Sequence, residues 1–112
     1  MKVKSTSSPF GSTARTSVLV ALRLLDEGYA RELARLLELP LSVVQRALRS
    51  LEGDGLVAAR SAGRTRLFRL DPRYFARAEL AALLSRLSEA NPELKRRIET
   101  MRRRPRKTGK PL

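Results

Sequence analysis

The sequence predicts one α+β domain that is mainly helical and carries a single small β-hairpin. Apolar residues recur at helical spacing in three segments that precede Gly53. The hydrophobic period then shortens to two residues around Gly63, as in a pair of short strands. A leucine-rich helical pattern follows Pro72. The chain has 112 residues, the length of one domain, and its 42% of hydrophobic residues suffices for one modest core.

Three short helices are predicted in the first half of the chain. Residues 1–11 are rich in Ser, Lys and Thr and are predicted to form a flexible arm. The Ser-Thr pair at 12–13 can cap the first helix, which Gly28 ends. The second helix is predicted over 30–37 and the third over 41–52, with a proline between them that suits a helical first turn.

The second half of the chain is predicted to hold the hairpin and two further helices. Residues 56–60 and 64–70 are predicted to be strands joined by a turn at Gly63. Asp71 and Pro72 are predicted to open the fourth helix, because aspartate caps helices and proline fits a first turn. A mostly charged helix and a basic tail follow it.

The net charge of +13 is the main global feature of the composition. A basic chain of this size favours polyanionic partners such as nucleic acid. Residues 95–112 hold nine of the 24 lysines and arginines but a single acidic residue, Glu99. Much of the charge therefore lies in the C-terminal tail, and contact with DNA and a solubilising role both remain open for it.

The residues that the chain lacks exclude several function classes. It has no cysteine and no histidine, which removes disulfides, thiolate chemistry, the commonest general base and the commonest metal ligand. We expect no enzyme activity, no metal site and no cofactor. No apolar run approaches the about 20 residues that span a bilayer, and the N-terminus does not resemble a secretory signal. We therefore expect a cytoplasmic protein that is not bound to a membrane.

The third predicted helix separates apolar and polar residues onto opposite faces. Val44, Leu48 and Leu51 share the apolar face. Arginine can pair bidentately with guanine and glutamine with adenine, so the opposite face carries side chains that can bind base edges. A polar helix face is most often simply exposed to solvent, and this face alone does not indicate DNA binding. The polar face consists of Ser42, Gln45, Arg46, Arg49 and Ser50.

The predicted hairpin is basic around its glycine turn. Arg60, Arg64 and Arg66 flank Gly63, and Thr65 lies between the last two arginines. Three helices followed by such a hairpin are the layout of a winged helix-turn-helix, in which the third helix enters the major groove of DNA. The hairpin, or wing, then reaches the phosphate backbone or the minor groove. The combination predicts a winged helix-turn-helix with C-terminal helices appended.

The chain resembles the ArsR/MarR-type winged-helix transcriptional regulators. The resemblance lies in RELARLLELPLSVVQRALRSLEGDGLV followed by GRTRLFRL and covers about residues 12–90. It implies that Leu41, Ser42, Val43, Gln45, Arg46 and Arg49 face DNA and that Arg64, Thr65 and Arg66 are wing contacts. The predicted nucleic-acid site consists of these nine residues together with Ser50 and Arg60, which the residue patterns indicate. The predicted divisions are an arm at 1–11, a winged-helix DNA-binding domain at 12–90, a basic helix at 91–104 and a disordered basic tail at 105–112.

This sequence departs from the family pattern at three points. Pro40 stands where relatives often have a Ser or Thr that caps the DNA-contacting helix, so the cap is expected to be weaker or to come from elsewhere. Ala47 replaces a position that is often larger and polar, which removes one contact. The metal-sensing members use Cys and His ligands, and this chain has neither.

Regulators of this type are usually homodimers, because twofold symmetry lets two helices bind two half-sites. The first helix and the leucine-rich helix are the predicted dimer elements, although the same leucines suit an ordinary core. The predicted interface residues are Val18, Leu22, Leu80, Leu83, Leu84 and Leu87.

Three functions remain in competition at this point. The favoured one is a sequence-specific regulator of transcription that binds double-stranded DNA, as a dimeric repressor. An RNA- or ribosome-associated winged-helix protein fits the small size and the high charge equally. A protein-interaction module, with incidental charge, predicts no affinity for nucleic acid at moderate salt. The sequence does not indicate an operator, the direction of regulation or an effector.

Overall fold

The computed structural model describes residues 9–103 and contains five helices and a three-stranded sheet in that range. The sheet is antiparallel, with β3 in the centre between β1 and β2. None of the helices in this range is long and apolar enough to cross a bilayer. The elements are α1 Thr13–Leu25, β1 Gly28–Tyr29, α2 Ala30–Leu37, α3 Leu41–Gly53, β2 Val57–Ala62, β3 Thr65–Leu70, α4 Arg77–Ser88 and α5 Pro92–Arg103.

The fold class is the predicted one: an α+β winged helix in which three helices precede a β-hairpin and two helices follow it. The first helix begins where expected, and the hydroxyl of its N-cap residue Ser12 accepts a hydrogen bond from the Arg15 amide at 3.1 Å. The predicted tail at 105–112 and most of the predicted arm lie outside the described residues, as does residue 104.

The N-terminal strand of the sheet was not predicted. Gly28 was expected to end the first helix, but the helix ends at Leu25 and Gly28 pairs with Phe68 in the sheet. A β-carbon at Gly28 would lie only 3.3 Å from Leu25 Cδ1 and 3.4 Å from Glu32 Oε1. The glycine therefore allows close packing between the strand and two helices. A two-residue strand is too short to produce an alternating pattern in the sequence.

The fourth helix begins five residues later than predicted. Asp71 and Pro72 were expected to open it, but the first helical residue is Arg77. The Asp71 carboxylate instead accepts a hydrogen bond from the Arg73 amide at 2.9 Å, and the Asp71 carbonyl accepts one from the Tyr74 amide at 3.1 Å. Aspartate forms such turns through the same acceptor atoms that it uses as a helix cap, so the sequence signal was ambiguous.

One apolar core holds the domain together. Val18, Leu19 and Leu22 on α1 are fully buried and lie at its centre. The other helices, α4 among them, and the inner face of the sheet pack around α1. The remaining large, fully buried side chains are Leu33, Val44, Leu48, Leu51, Val57 and Leu84.

The last helix packs on the domain through a thin apolar line and two arginines. Leu94 and Ile98 form this line and are each 2% exposed. Arg97 donates a hydrogen bond to the Leu36 carbonyl at 2.6 Å, at the C-terminal end of α2. Arg102 similarly reaches the Leu25 carbonyl, at the end of α1, at 3.5 Å. Cations are favourable at helix C-termini, so these two arginines stabilise the packing of α5 against the C-terminal ends of α1 and α2.

Candidate nucleic-acid interface

The turn between α2 and α3 sets the position of the third helix. Glu38 ends α2 in the left-handed conformation, with φ of 58°, and Pro40 immediately precedes the first helical residue of α3. The Pro40 carbonyl accepts hydrogen bonds from the Val43 and Val44 amides at 3.1 and 3.2 Å. No side chain caps α3, as the departure at residue 40 implied. The backbone carbonyl of Pro40 supplies the acceptor for the first helical turn.

The third helix has the predicted division into an inner and an outer face. Val44, Ala47, Leu48 and Leu51 are buried against the core. Leu41 and Val43 are half-buried at the N-terminal end of the helix. The polar stripe of Ser42, Gln45, Arg46, Arg49 and Ser50 is exposed.

The hairpin of β2 and β3, which we call the wing, has a tight two-residue turn at Gly63 and Arg64 between the paired Ala62 and Thr65. Gly63 has φ of 67°, a conformation that glycine adopts without the steric cost of a β-carbon. The Thr65 hydroxyl donates a hydrogen bond to the Ala62 carbonyl at 3.0 Å, across the turn. The turn holds Arg64 exposed at the tip of the wing.

The wing is tied to the third helix by an ion pair. Arg66 lies 2.8 Å from the Glu52 carboxylate of α3 and 5.5 Å from the centroid of the Phe68 ring. This pair connects the wing to the third helix. Exposed ion pairs contribute about 0–1 kcal/mol, so Arg66 can exchange Glu52 for a phosphate at small cost.

The eleven predicted contacts do not all lie in one place. Arg60 is directed toward Glu27, with 3.6 Å between the guanidinium and the carboxylate, and lies away from the tip of the wing. The Ser50 hydroxyl accepts a hydrogen bond from Arg15 of α1, whose guanidinium also lies 2.8 Å from the Asp54 carboxylate. Ser50 thus helps hold α3 against α1. No sequence signal pointed to Arg15, which is 35 positions away.

A cleft between α2, α3, the wing and α5 brings six of the predicted contacts together. Its volume is about 1220 Å³. Its lining includes Leu41, Gln45 and Arg49 from α3. It also includes Arg64, Thr65 and Arg66 from the wing. Ser42 and Arg46 lie on the exposed stripe of the same helix but do not line the cleft.

Three further arginines, which the sequence patterns did not indicate, line the cleft. Arg31 and Arg35 lie on the exposed side of α2, and Arg97 comes from α5. The pair on α2 is spaced by four residues, which places both on one helix face, so periodicity could have identified it. Arg97 could not have been found in this way, because its position depends on how α5 packs against α2.

The cations of this surface differ in whether they already have a partner. Within residues 9–103, the guanidinium groups of Arg46, Arg49 and Arg64 form no hydrogen bond or ion pair, and neither do those of Arg31 and Arg35. An anion can therefore bind them without displacing an internal carboxylate. The six arginines of the cleft face only two acidic side chains, Glu32 and Glu38. Glu38 already lies 3.2 Å from Arg97.

Four of the six predicted dimer residues require a correction. Val18, Leu22 and Leu84 have no exposed surface, and Leu80 is only 7% exposed. These side chains form the core of the protomer itself and have little or no surface to offer to a second copy. Leu83 is 42% exposed, and Leu87 is half-buried.

Comparison with known proteins agrees with this geometry. No protein-family model matches the chain, and no curated protein matches it. Among solved structures it is similar to reduced HlyU from Vibrio cholerae N16961, a winged-helix transcriptional regulator of the ArsR/SmtB family. The two are 30% identical and superpose with a TM-score of 0.57, over 71% of this chain and 78% of HlyU. The chain belongs to the winged helix-turn-helix transcriptional regulators. In this fold, α2 and α3 form the helix-turn-helix, and α3 is its second helix, the position that is called the recognition helix.

Proposed function

We propose that the protein is a sequence-specific DNA-binding regulator of transcription. We propose further that it is an ArsR-type repressor that acts as a dimer. The observation that carries the proposal is the exposed polar face of the recognition helix next to a basic wing. The similarity to HlyU supports a regulator that binds DNA. A DNA-binding regulator works where the chromosome is, so the proposal retains the cytoplasmic location expected from the sequence.

The dimensions of the recognition helix support insertion into the major groove. Its 13 residues give a rod about 20 Å long. The groove is about 12 Å wide and admits one helix. Ser42, Gln45 and Arg46 lie near the N-terminal end, which is the end closest to the bases in this class. Arg64 at the tip of the wing then contacts phosphate beyond the groove.

We propose that dimerisation uses the outer face of α4 instead of its leucine-rich face. Phe75, just before α4, is 92% exposed, and Leu83 is 42% exposed. In an antiparallel pair of α4 helices centred between residues 82 and 83, Glu79 lies opposite Arg86 of the partner subunit. This face is self-complementary, as a twofold interface requires. A dimer that covers its DNA site blocks access directly, which favours repression.

Any sensing step of this protein must use chemistry other than the oxidation of thiols. The HlyU structure is that of the reduced protein. This chain contains no cysteine, so a switch based on thiol oxidation is not available to it. Regulation must act through groups that the chain does have.

Binding of duplex DNA and duplex RNA across a salt series tests the proposal. A-form RNA has a deep, narrow major groove that the recognition helix cannot enter, so we expect tighter binding to DNA. The affinity should fall steeply with salt, because each neutralised phosphate releases counterions. Arg64→Ala is expected to reduce the slope of log K against log salt by about 1 for each subunit, which is about 2 for the proposed dimer.

Arg73→Ala is the matched control for Arg64→Ala, because it removes the same charge from an exposed site in the loop between β3 and α4. We expect it to leave the salt slope unchanged. Tighter binding to RNA than to DNA would favour the RNA-associated alternative. No binding to either duplex at moderate salt would favour a protein-interaction module.

A further inference from the structure

We propose that Arg15 of α1 is a positioning residue for DNA recognition, which fixes the rotation of the recognition helix about its own axis. This rotation decides where the side chains of the exposed polar stripe point. The effect on DNA binding rests on the proposed function, whereas the contacts of Arg15 are independent of it. Arg15 itself contacts no DNA in this arrangement and acts through its partners on α3.

The guanidinium group of Arg15 donates in three different directions. Its Nε atom donates a hydrogen bond to the Phe10 carbonyl at 2.6 Å, and its Nη1 atom donates one to the Ser50 hydroxyl. Its Nη2 atom lies 2.8 Å from the Asp54 carboxylate. The Arg15 side chain is only 20% exposed, and three separate acceptors hold its planar group in one orientation. Arg15 therefore joins α1, the central helix of the core, to the C-terminal end of α3.

The recognition helix has a second tether on its opposite flank. Glu52 binds Arg66 of the wing at 2.8 Å, while Ser50 binds Arg15. Two residues along an α-helix correspond to a rotation of about 200°, so Ser50 and Glu52 lie on nearly opposite sides of α3. Arg46, which is proposed to bind bases, lies on the outward arc between the two tethers. Each tether limits rotation of the helix, so together they fix the direction in which this arc faces.

Apolar packing alone sets this rotation only coarsely. Val44, Leu48 and Leu51 decide which face of α3 is turned toward the core, but contacts between apolar groups are non-directional. Hydrogen bonds weaken steeply when their angles change, so they restrict the rotation more narrowly. Contacts with base edges need this restriction, because a binding constellation tolerates deviations of only about 10–20°.

The location of the two tethered carboxylates supports a role beyond helix formation. Negative charge is unfavourable at the C-terminal end of a helix, where the macrodipole is itself negative. Glu52 and Asp54 nevertheless lie at this end of α3, and the last turn contains no basic residue. Each carboxylate pairs instead with an arginine from another element. Both acidic residues therefore serve the tertiary position of the helix and not its local stability.

Arg15→Met tests this role, because methionine keeps a long unbranched stem and removes all three donors. The ratio of the affinities for the preferred duplex and an unrelated duplex is expected to fall about 10-fold, as when one bidentate base contact is weakened. The slope of log K against log salt should stay unchanged, since Arg15 does not neutralise a phosphate.

Arg102→Met is the matched control. Arg102 likewise reaches a carbonyl and a carboxylate, those of Leu25 and Asp26, but it joins α5 to α1 and not α1 to α3. We expect the affinity ratio of this variant to equal that of the native protein. An unchanged ratio in folded Arg15→Met would overturn the positioning role. A salt slope that falls by about 1 for each subunit would also overturn it, because Arg15 would then contact phosphate directly.

A double-mutant cycle tests whether Arg15 acts through its partners on α3. The variant Ser50→Ala/Asp54→Asn removes both partners by substitutions at exposed positions. It should lower the affinity ratio about 10-fold in the native background and have no further effect in Arg15→Met, as expected for residues that share one interaction. Independent, additive losses would contradict the tether. Thermal unfolding shows which variants fold, and the Ser50/Asp54 variant decides the test if Arg15→Met does not fold.

Hydrogen exchange in the absence of DNA measures the tether itself. The amides of Asp54 and Leu56 donate to the Ser50 and Leu51 carbonyls at 3.1 and 3.0 Å and close the C-terminal end of α3. We expect these amides to exchange about threefold faster in Arg15→Met, as for the loss of a partly exposed ion pair, and at the native rate in Arg102→Met. Unchanged exchange would overturn the tether. If the native protein does not distinguish the two duplexes, the proposed function fails, while exchange still decides whether Arg15 holds α3.

Discussion

Replacing Gln45 and Arg46 with alanine is expected to abolish the preference of the protein for its own DNA site while leaving weak, nonspecific binding. Both side chains are exposed on the recognition helix, and Arg46 has no ion-pair partner within residues 9–103. Each bidentate contact with a base contributes about 1–3 kcal/mol of discrimination, so the two together contribute about 2–6 kcal/mol. The ratio of specific to nonspecific affinity should therefore fall by about 30-fold or more.

The measurement is a competition between the preferred duplex and an unrelated duplex of equal length, at one fixed salt concentration. Arg73→Ala is the control, since it lowers the net charge without touching the recognition helix, the wing or α4. Its discrimination should equal that of the native protein. A double variant that binds both duplexes more weakly by the same factor would show that these residues contact only phosphates, and α3 would then not bind bases as proposed.

Leu22→Ala is expected to lower the free energy of unfolding by about 2–5 kcal/mol, which is a large share of the stability of a domain of this size. Leu22 is fully buried in the core of the protomer. Removing its side chain leaves a cavity among neighbours that relax only in part. Urea denaturation monitored by circular dichroism measures the loss, and the exposed Leu83→Ala, which leaves no cavity, should lose less.

The dependence of this loss on protein concentration distinguishes a core position for Leu22 from the dimer-interface position that the sequence predicted. A core residue destabilises the monomer by the same amount at every protein concentration. A residue that only contacted a second copy would show a loss that changes with concentration, because dimer stability depends on it. A loss below about 0.5 kcal/mol, or one confined to high concentration, would contradict the burial of Leu22 in the protomer core.

Most of the fold was predictable because the helices are strongly amphipathic. The bounds of α2 and α3 follow from a clear period and from the proline between them, and the wing follows from the shift to a two-residue period. What the sequence did not indicate depends on contacts between distant segments. The strand at Gly28 exists only because Phe68 pairs with it, and no local pattern marks it.

The candidate site shows the same division. The polar face of α3 was apparent from the helical period alone, since the core side chains repeat at regular spacing. The leucines of α4 were assigned to two roles, because periodicity identifies an apolar face but not what covers it; α1 covers this one. Arg15 and Arg97 act through partners 35 and 61 positions away in the sequence, so only the folded structure connects them.

Selection from a pool of random DNA duplexes tests the central proposal most directly. The native protein is used to enrich bound duplexes over several rounds, beside the Gln45→Ala/Arg46→Ala variant. We predict that the native protein enriches one motif as two inverted half-sites, with centres about 34–36 Å apart, and that the variant enriches none. Enrichment of no motif by the native protein, despite tight binding to the pool, would contradict sequence-specific recognition by α3.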